Sequence, residues 1–404
     1  MNLRFPLFIL LLTALLLNAC GGNENTAVSS PAANEPAAAA TAVPETAPTV
    51  TAIVDTAATL PVPPTLASEP TASPAPPTET PAPDNTLLFA ADFTDRNPLT
   101  GEIVADTAVL ARRPLEIKLS NAPAIYTRPQ SGLNDADWIF EHTTEGAITR
   151  FSAIFYGKTP PKIGPVRSAR LIDLELPAMF DAGLVFSGAS AGVRQRLYSS
   201  DFANRINEAG YGLYRTGEDK PLEHTLYGNP EQLWQYLDNV GENTPPNFGT
   251  FLTFSEAAPE GGTPATYLAV DYQWTNVEWK YDEESGKYLR WADGEIHADG
   301  NTLEQVAVAN VVVISPYHVE DPTICEEIRD GVCAHLSVQI QLWGSGNGAV
   351  FRDGQRYDVV WHREGRNDLL TFTDSAGNPF PLKVGNTWVQ LVPSWLTEPL
   401  TVEP

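Results

Sequence analysis

The chain has 404 residues, and its 25 Lys and Arg against 50 Asp and Glu give a formal net charge of −25 at pH 7. This charge excludes the general basic field through which proteins bind nucleic acids. The six histidines show no metal-ligand spacing such as H-E-x-x-H, and no phosphate-binding loop of the nucleotide hydrolases occurs. We therefore predict no metal site and no cofactor.

The first 19 residues are a predicted signal peptide. A charged start at Arg4 precedes an apolar run over residues 5–17, which is shorter than the roughly 20 residues that a membrane-spanning helix needs. The sequence Leu-Asn-Ala-Cys-Gly at residues 17–21 resembles the lipobox of bacterial lipoproteins. The resemblance implies that Cys20 is lipidated and holds the protein at the extracytoplasmic face of the cell membrane. The alternative is an ordinary cleaved signal with a coincidental cysteine.

Residues 20–86 are rich in Ala, Pro, Thr and Ser and contain no Lys or Arg. Such a segment cannot bury enough apolar surface to offset the entropy lost on ordering. We therefore predict a disordered, lipid-anchored linker that holds the rest of the chain away from the membrane.

The remaining chain is predicted to be an α+β protein with a mixed α/β domain at residues 87–249 and a β-rich domain at residues 250–404. In the first domain, Asn229 is a predicted helix N-cap before a proline at the first helical position. Two further helices are predicted at residues 169–180 and 193–198. In the second domain, alternating apolar residues predict a hairpin followed by several strands.

Cys325 and Cys333 are the two cysteines other than Cys20. An exported protein meets an oxidising compartment, so we predict a disulfide that closes a small loop. Two free buried thiols are the alternative. The acidic residues between the cysteines favour a surface loop.

Several polar segments of the first domain agree in order and spacing with one known family. They are residues 97–101, 112–115, 121–123, 128–137, 145–151 and 162–170. In that order they resemble the YerB-like family of bacterial lipoproteins, as do residues 377, 381–382 and 385–388 near the C-terminus. The family is described mainly as two adjacent uncharacterised domains, so the resemblance implies location and architecture but little mechanism.

The arginines Arg150, Arg167 and Arg170 are the centre of the predicted ligand site. Guanidinium groups near the predicted helix start at Ser168 are suited to bind phosphate or carboxylate. The alternative is that they pair with nearby carboxylates, such as Glu145, and only hold loops in place. The candidate ligand-binding residues are Asn121, Asn134, Asp135, Glu145, Arg150, Arg167, Ser168, Arg170 and His224.

Ser190 lies in a G-x-S-x-G sequence at residues 188–192, between a predicted buried strand and a helix. This context is typical of a nucleophile elbow, and His224 with Asp201, Asp219 or Glu223 would follow in the chain order of a hydrolase. A plain tight turn is the alternative, because the surrounding chain lacks the regular β/α alternation of that fold. We therefore predict a binding protein rather than an enzyme, with an envelope hydrolase or transferase as the rival and a structural spacer as a third alternative.

The second domain is rich in tryptophan. Its candidates for a β core or, alternatively, for an aromatic sugar-binding face are Trp274, Trp279, Trp291, Trp343, Trp361 and Trp388. The predicted partners are the membrane through the lipid anchor and an envelope protein or an anionic glycopolymer or peptidoglycan.

Overall fold

The computed structural model describes residues 86–404. The predicted signal peptide, Cys20 and the predicted linker up to residue 85 lie outside the described part of the chain. Within residues 86–404, no helix is both long and apolar enough to cross a membrane. The described chain consists mainly of strands with a few short helices, so the α+β class holds only in part.

The strands are numbered in chain order. Those of the first half are β1 Leu88–Phe89, β2 Leu115–Ser120, β3 Trp138–Thr143, β4 Thr149–Phe155, β5 Gly183–Phe186, β6 Ile206–Glu208, β7 Leu213–Arg215 and β8 Leu226–Gly228. Those of the second half are β9 Thr253–Ser255, β10 Thr263–Pro264, β11 Tyr267–Asp271, β12 Asn276–Asp282, β13 Lys287–Ala292, β14 Glu295–Ile296, β15 Ala307–Val308, β16 Asn310–Ile314, β17 Tyr317–Arg329, β18 Val332–Gln341, β19 Gly344–Arg352, β20 Gln355–Arg363, β21 Thr371–Thr373, β22 Leu382–Lys383, β23 Thr387–Leu391 and β24 Leu400–Glu403.

The α-helices all lie in the first half of the described residues. They are α1 Ala124–Thr127, α2 Leu176–Met179, α3 Ala191–Leu197 and α4 Pro230–Asn239. Short 3-10 helices cover Ala90–Asp92, Thr107–Ala111, Leu133–Asp135, Glu145–Ala147, Leu171–Leu174, Ala203–Arg205 and Leu222–His224.

One of the predicted helices is present in the structure as predicted, and another is divided into two elements. Helix α4 begins as predicted, because the Asn229 side chain accepts a hydrogen bond of 3.0 Å from the Gln232 amide. The helix predicted over residues 169–180 is wrong as one element. It is divided into a 3-10 helix at Leu171–Leu174 and α2, which carries Pro177 in its first turn. Proline lacks an amide hydrogen and is tolerated in the first turn but not in a helix interior, so the chain starts a new helix there.

The largest sheet has eleven strands and runs through both halves of the described chain. Its order is β10-β20-β19-β16-β23-β3-β4-β2-β5-β6, with β21 paired to β20. Strand β23 is parallel to both β16 and β3, with Val389 opposite Phe140 in β3. Strands from both sides of the predicted domain boundary at residue 250 therefore belong to the same sheet. The described residues all fall within one compact unit.

Both faces of the large sheet are buried. On one face, Ile139 and Trp388 join a core with residues of a second sheet of order β14-β13-β12-β11-β24, with β15 paired to β13. On the other face, Trp138 and Phe140 pack with Phe180 just after α2. Because successive residues of a strand point to opposite faces, β3 supplies both cores.

The hairpin β17–β18 extends from the second half onto the first. A disulfide joins Cys325 to Cys333 within it. Ile324 of the hairpin is buried in a small core with Val193 and Leu197 of α3. The hairpin therefore covers the region that contains the predicted arginine site.

Candidate ligand-binding site

Two of the three predicted arginines share one carboxylate. Arg150 lies in β4 and Arg170 precedes the 3-10 helix at Leu171–Leu174. The Arg170 guanidinium donates to both oxygens of Glu145, with Nε at 2.6 Å from Oε2. The Arg150 Nη2 donates to Glu145 Oε1 at 3.4 Å. This Arg-Glu-Arg group is an internal ion-pair arrangement, so two of the arginines already have partners.

The three members of this group keep their charges. Burial opposes the charge of Glu145, but the hydrogen bonds and charge of Arg170 hold its pKa below the ordinary value. Burial and then the charge of Arg170 lower the pKa of Arg150 to about 9. Burial also opposes the charge of Arg170, yet Glu145 raises its pKa. At neutral pH the group therefore carries one net positive charge.

A second carboxylate approaches from the hairpin. Glu326, between the two disulfide cysteines, places Oε2 at 3.7 Å from Arg170 Nε, and its side chain is 2% exposed. Its Oε1 accepts a hydrogen bond of 3.1 Å from Ser190 Oγ. Two carboxylates therefore neutralise Arg150 and Arg170, because the hairpin supplies the second one.

Arg167 is the exception among the arginines. It is partly buried, and within residues 86–404 its guanidinium makes no hydrogen bond and no ion pair at contact distance. Burial lowers its pKa, the exposed Glu223 opposes that change, and Arg170 adds to it. Its backbone is fixed between β2 and β5, since the amide donates to the Lys118 carbonyl and the carbonyl accepts from the Ser187 amide. The Arg167 side chain therefore starts from a fixed backbone position, and its guanidinium has neither a hydrogen-bond partner nor a contact ion pair within the described residues.

His224 is electrostatically linked to Arg167. Its ring stacks on Tyr126, with 5.6 Å between ring centres, and its buried Nδ1 has no hydrogen-bond partner within the described residues. Burial and then the charge of Arg167 lower the pKa of His224. The neutral His224 ring, which has one nitrogen without a hydrogen bond in the described part of the chain, is therefore close enough to Arg167 to be affected by its charge.

Ser168 belongs to the same group through its backbone. Its carbonyl accepts a hydrogen bond of 2.9 Å from Arg150 Nη1, and the serine is partly buried. The contact fixes Arg150 against the segment that carries Arg167. The arginine cluster is thus held together by backbone as well as by carboxylates.

Ser190 caps α3 and is not joined to a histidine by a hydrogen bond within residues 86–404. Its Oγ accepts from the Val193 amide at 3.4 Å and donates to Glu326. Its φ of −60° and ψ of 157° are ordinary extended values, whereas a nucleophile elbow is a sharp, strained turn. The strand and helix predicted on either side are present as β5 and α3. The position serves as a helix N-cap in this geometry.

Three of the candidate residues lie apart from the arginine cluster. Asn121 Nδ2 donates to Thr149 Oγ1 at 2.7 Å. Asn134 accepts from the Ala307 amide at 3.0 Å and so ties the first half to the second. Burial, followed by the charge of Asp299, raises the pKa of Asp135. The first two residues organise loops.

A fully buried charged cluster lies next to the arginines and was not predicted. Lys118 Nζ donates to Asp173 Oδ1 at 2.7 Å and to Ser152 Oγ at 2.7 Å, and it lies 2.8 Å from His142 Nε2. Burial and then Asp173 raise the pKa of Glu116 well above its ordinary value. Asp173 also accepts a hydrogen bond of 2.6 Å from the Arg170 amide. The buried cluster is therefore bonded directly to the backbone of one of the site's arginines.

A second buried pair joins the two halves of the chain. Arg290 in β13 donates to Glu141 in β3 at 2.8 Å, and both side chains are fully buried. The guanidinium carbon lies 4.7 Å from the centre of the Trp388 ring. His297 lies against Arg290 and, on its other side, 2.6 Å from Gln130 Oε1. This network is a structural connection between the sheets.

The fold and the site define a β-rich protein whose two sequence halves share one sheet and meet at an arginine-rich cluster. Residues 99–243 match the family model described as the N-terminal domain of a protein of unknown function (DUF3048), and residues 268–389 match its C-terminal domain. The chain belongs to this family of YerB-like proteins, which confirms the resemblance seen in the sequence.

Two comparisons with YerB support this assignment. The "Putative lipoprotein YerB" of Bacillus subtilis (strain 168) is 32% identical over 308 residues, which cover 73% of this chain and 86% of that protein. The crystal structure of YerB protein from Bacillus subtilis has a TM-score of 0.63 and 28% identity, and the match covers 76% of this chain and 99% of that one.

Proposed function

We propose that this protein is an exported lipoprotein that binds an anionic ligand of the cell envelope, a phosphate or a carboxylate, at Arg167. The lipobox-like sequence around Cys20 and the similarity to a protein described as a lipoprotein support the anchor. The unpaired guanidinium of Arg167 supports the ligand class. The function is binding rather than catalysis, and the ligands of this class include an acidic envelope protein and the anionic glycopolymers and peptidoglycan of the wall.

The single observation that carries the ligand class is the contrast between Arg167 and its neighbours. Arg150 and Arg170 are satisfied by Glu145, whereas Arg167 is partly buried and has no hydrogen-bond partner within the described residues. Partial burial of an unpaired charged group is costly unless a partner is supplied. An oxyanion would accept two hydrogen bonds from the guanidinium fork and so remove that cost.

The surroundings favour a small oxyanion at this position. His224, whose pKa is lowered by burial and then by the charge of Arg167, has a buried ring nitrogen without a hydrogen-bond partner within the described residues. The exposed Glu223 opposes binding through its charge. We therefore expect modest affinity, which increases when Glu223 is replaced by Gln.

Stabilisation by inorganic phosphate tests the ligand proposal. At constant ionic strength, phosphate should raise the melting temperature of the wild-type protein, because a ligand that binds only the folded state stabilises it. The increase should be absent in Arg167→Ala and smaller in Arg167→Lys, which keeps the charge but loses the planar fork. The matched control is Arg194→Ala, since Arg194 is an exposed arginine already paired with Glu208. Equal phosphate stabilisation of Arg167→Ala and wild type would refute the proposal.

Cell fractionation tests the anchor separately. A Cys20→Ala variant should be released from the membrane or mislocalised, while its circular dichroism spectrum and melting temperature remain those of the wild-type protein. The expected reason is that two or three acyl chains provide the attachment and the fold does not. Retention of Cys20→Ala in the membrane fraction would contradict a lipid anchor.

A further inference from the structure

An open cleft of about 670 Å³ has Glu145 among its lining residues, but Arg150, Arg167 and Arg170 do not line it. Four segments form it. They are the loop after β3, the turn between β11 and β12, the hairpin β17–β18 and the segment after β23. Its volume falls within the range of roughly 300–1,000 Å³ that is typical of small-molecule sites.

Two exposed tryptophans line this cleft. Trp274 is 73% exposed and Trp395 is 53% exposed. The backbone before Trp274 and the ring of Trp395 each have a defined contact. Trp274 follows Gln273, whose φ is 74° and whose amide donates to Asp271 Oδ1 at 2.7 Å. The Trp395 ring packs edge-to-face on His318, with 5.4 Å between ring centres. Exposed indole rings offer flat apolar contact area at a low cost in conformational entropy, because only two side-chain torsions must be fixed on binding.

The cleft also contains a buried hydroxyl without a partner. Thr143 is 5% exposed and lines the cleft, and its Oγ1 makes no hydrogen bond within the described residues. Leaving such a group unpaired is unfavourable. A hydroxyl or amide group of a ligand in the cleft would satisfy it.

The ionised groups around the cleft largely cancel. Glu145 is already paired with Arg170, and Arg329 donates to Glu327 at 2.7 Å. His335 lies 3.7 Å from the same Glu327. Glu320 is the remaining charged residue of the lining. A single carboxylate at the cleft does not favour a strongly charged ligand. The chemistry is instead that of apolar ring faces beside single hydrogen-bonding groups.

We propose that this cleft binds an uncharged saccharide chain, whose sugar rings lie on Trp274 and Trp395 and whose polar groups hydrogen-bond to Thr143 Oγ1 and the neighbouring polar side chains. A sugar ring has both an apolar face and peripheral hydroxyl groups, which matches this combination. The site is separate from the anion site at Arg167 and does not depend on it.

Calorimetric titration of the full chain in detergent micelles tests the proposal with two probes, a soluble β-1,4-linked oligomer of N-acetylglucosamine and one of glucose. Saturable binding of either probe is expected. Trp274→Ala and Trp395→Ala should each weaken it at least tenfold, and Thr143→Val should weaken it roughly two- to tenfold, as expected for one hydrogen bond. The matched control is Tyr211→Ala, which removes an aromatic side chain that is 53% exposed and lies outside the cleft.

The outcomes separate this inference from the anion site. Arg167→Ala should bind the saccharide like the wild-type protein, even if the phosphate experiment fails. Trp274→Ala should keep the wild-type melting temperature, because its ring is 73% exposed. The folding of Trp395→Ala is checked by circular dichroism, because this substitution also removes the ring contact with the buried His318. The proposal is overturned if neither oligomer binds, or if both tryptophan variants bind the oligomers as well as Tyr211→Ala does.

Discussion

The Ser190 hydroxyl donates a hydrogen bond of 3.1 Å to the Glu326 carboxylate, across 136 positions of sequence. Ser190 caps α3 in the first half of the chain, and Glu326 lies in the hairpin of the second half. Through this contact the hairpin β17–β18 packs against the G-x-S-x-G turn at residues 188–192. It also gives Ser190 a partner that differs from the histidine of a hydrolase.

We predict that Ser190 does not react with a fluorophosphonate probe. Its neighbour is a carboxylate that lies 3.7 Å from Arg170 rather than a neutral imidazole base. Ser190→Ala should instead lower the free energy of unfolding by about 1 kcal/mol, through loss of the N-cap hydrogen bond. Labelling that disappears in Ser190→Ala would support the rival hypothesis of an envelope hydrolase or transferase.

Lys118 is predicted to be essential for stability. Lys118→Met leaves the buried Asp173 carboxylate without its ammonium partner and should lower the free energy of unfolding by about 3–5 kcal/mol. Denaturant unfolding measures this change. The control is Lys158→Met, because the Lys158–Glu102 pair is 3.5 Å long and both side chains are substantially exposed. That variant should change stability by less than about 1 kcal/mol.

The Arg290–Glu141 pair is predicted to couple the two halves of the fold. Glu141→Gln removes the counter-charge of a fully buried guanidinium and should cost about 3–5 kcal/mol in denaturant unfolding. Glu208→Gln, which affects a more exposed pair with Arg194, should cost about 1 kcal/mol or less. Equal effects of the two substitutions would show that Arg290 finds another partner when Glu141 is lost.

Stability should fall in mild acid because of His318. Burial lowers the pKa of His318 to about 4, from an ordinary value of 6.5. Between pH 6.5 and about 4 the unfolded chain binds a proton at this residue and the folded chain does not, so acid favours unfolding. His318 alone should contribute about 3 kcal/mol to the loss of stability over this window. Unfolding curves of His318→Gln should show a correspondingly smaller loss, and an unchanged pH dependence would contradict the assignment.

The sequence predicts those features that depend on local signals. Asn229 and Pro230 mark the start of α4 because capping and proline geometry involve only neighbouring residues. Proximity in sequence also predicts that Glu145 lies near Arg150, and the two side chains are hydrogen-bonded. Pro177 shows the limit of such signals, since the apolar pattern continues across it although the helix is interrupted.

Long-range pairing accounts for most of what the sequence does not show. Strand β23 lies between β16 and β3, a partnership that no local pattern encodes. Lys118 belongs to a strand that alternates charged and apolar residues, which normally indicates one solvent-exposed face. Both faces of β2 are buried here, so Lys118 and Glu116 form an internal cluster. The approach of Glu326 to Arg170 likewise depends on the position of the hairpin.

The most direct test of the central claim is the nuclear magnetic resonance signal of the Arg167 side chain in ¹⁵N-arginine-labelled protein, assigned by comparison with Arg167→Lys and followed during phosphate titration. The Arg167 Nε–H signal should shift saturably, while the signals of Arg150 and Arg170 change little because Glu145 already holds them. An unchanged Arg167 signal, or equal shifts for all exposed arginines, would contradict anion binding at Arg167.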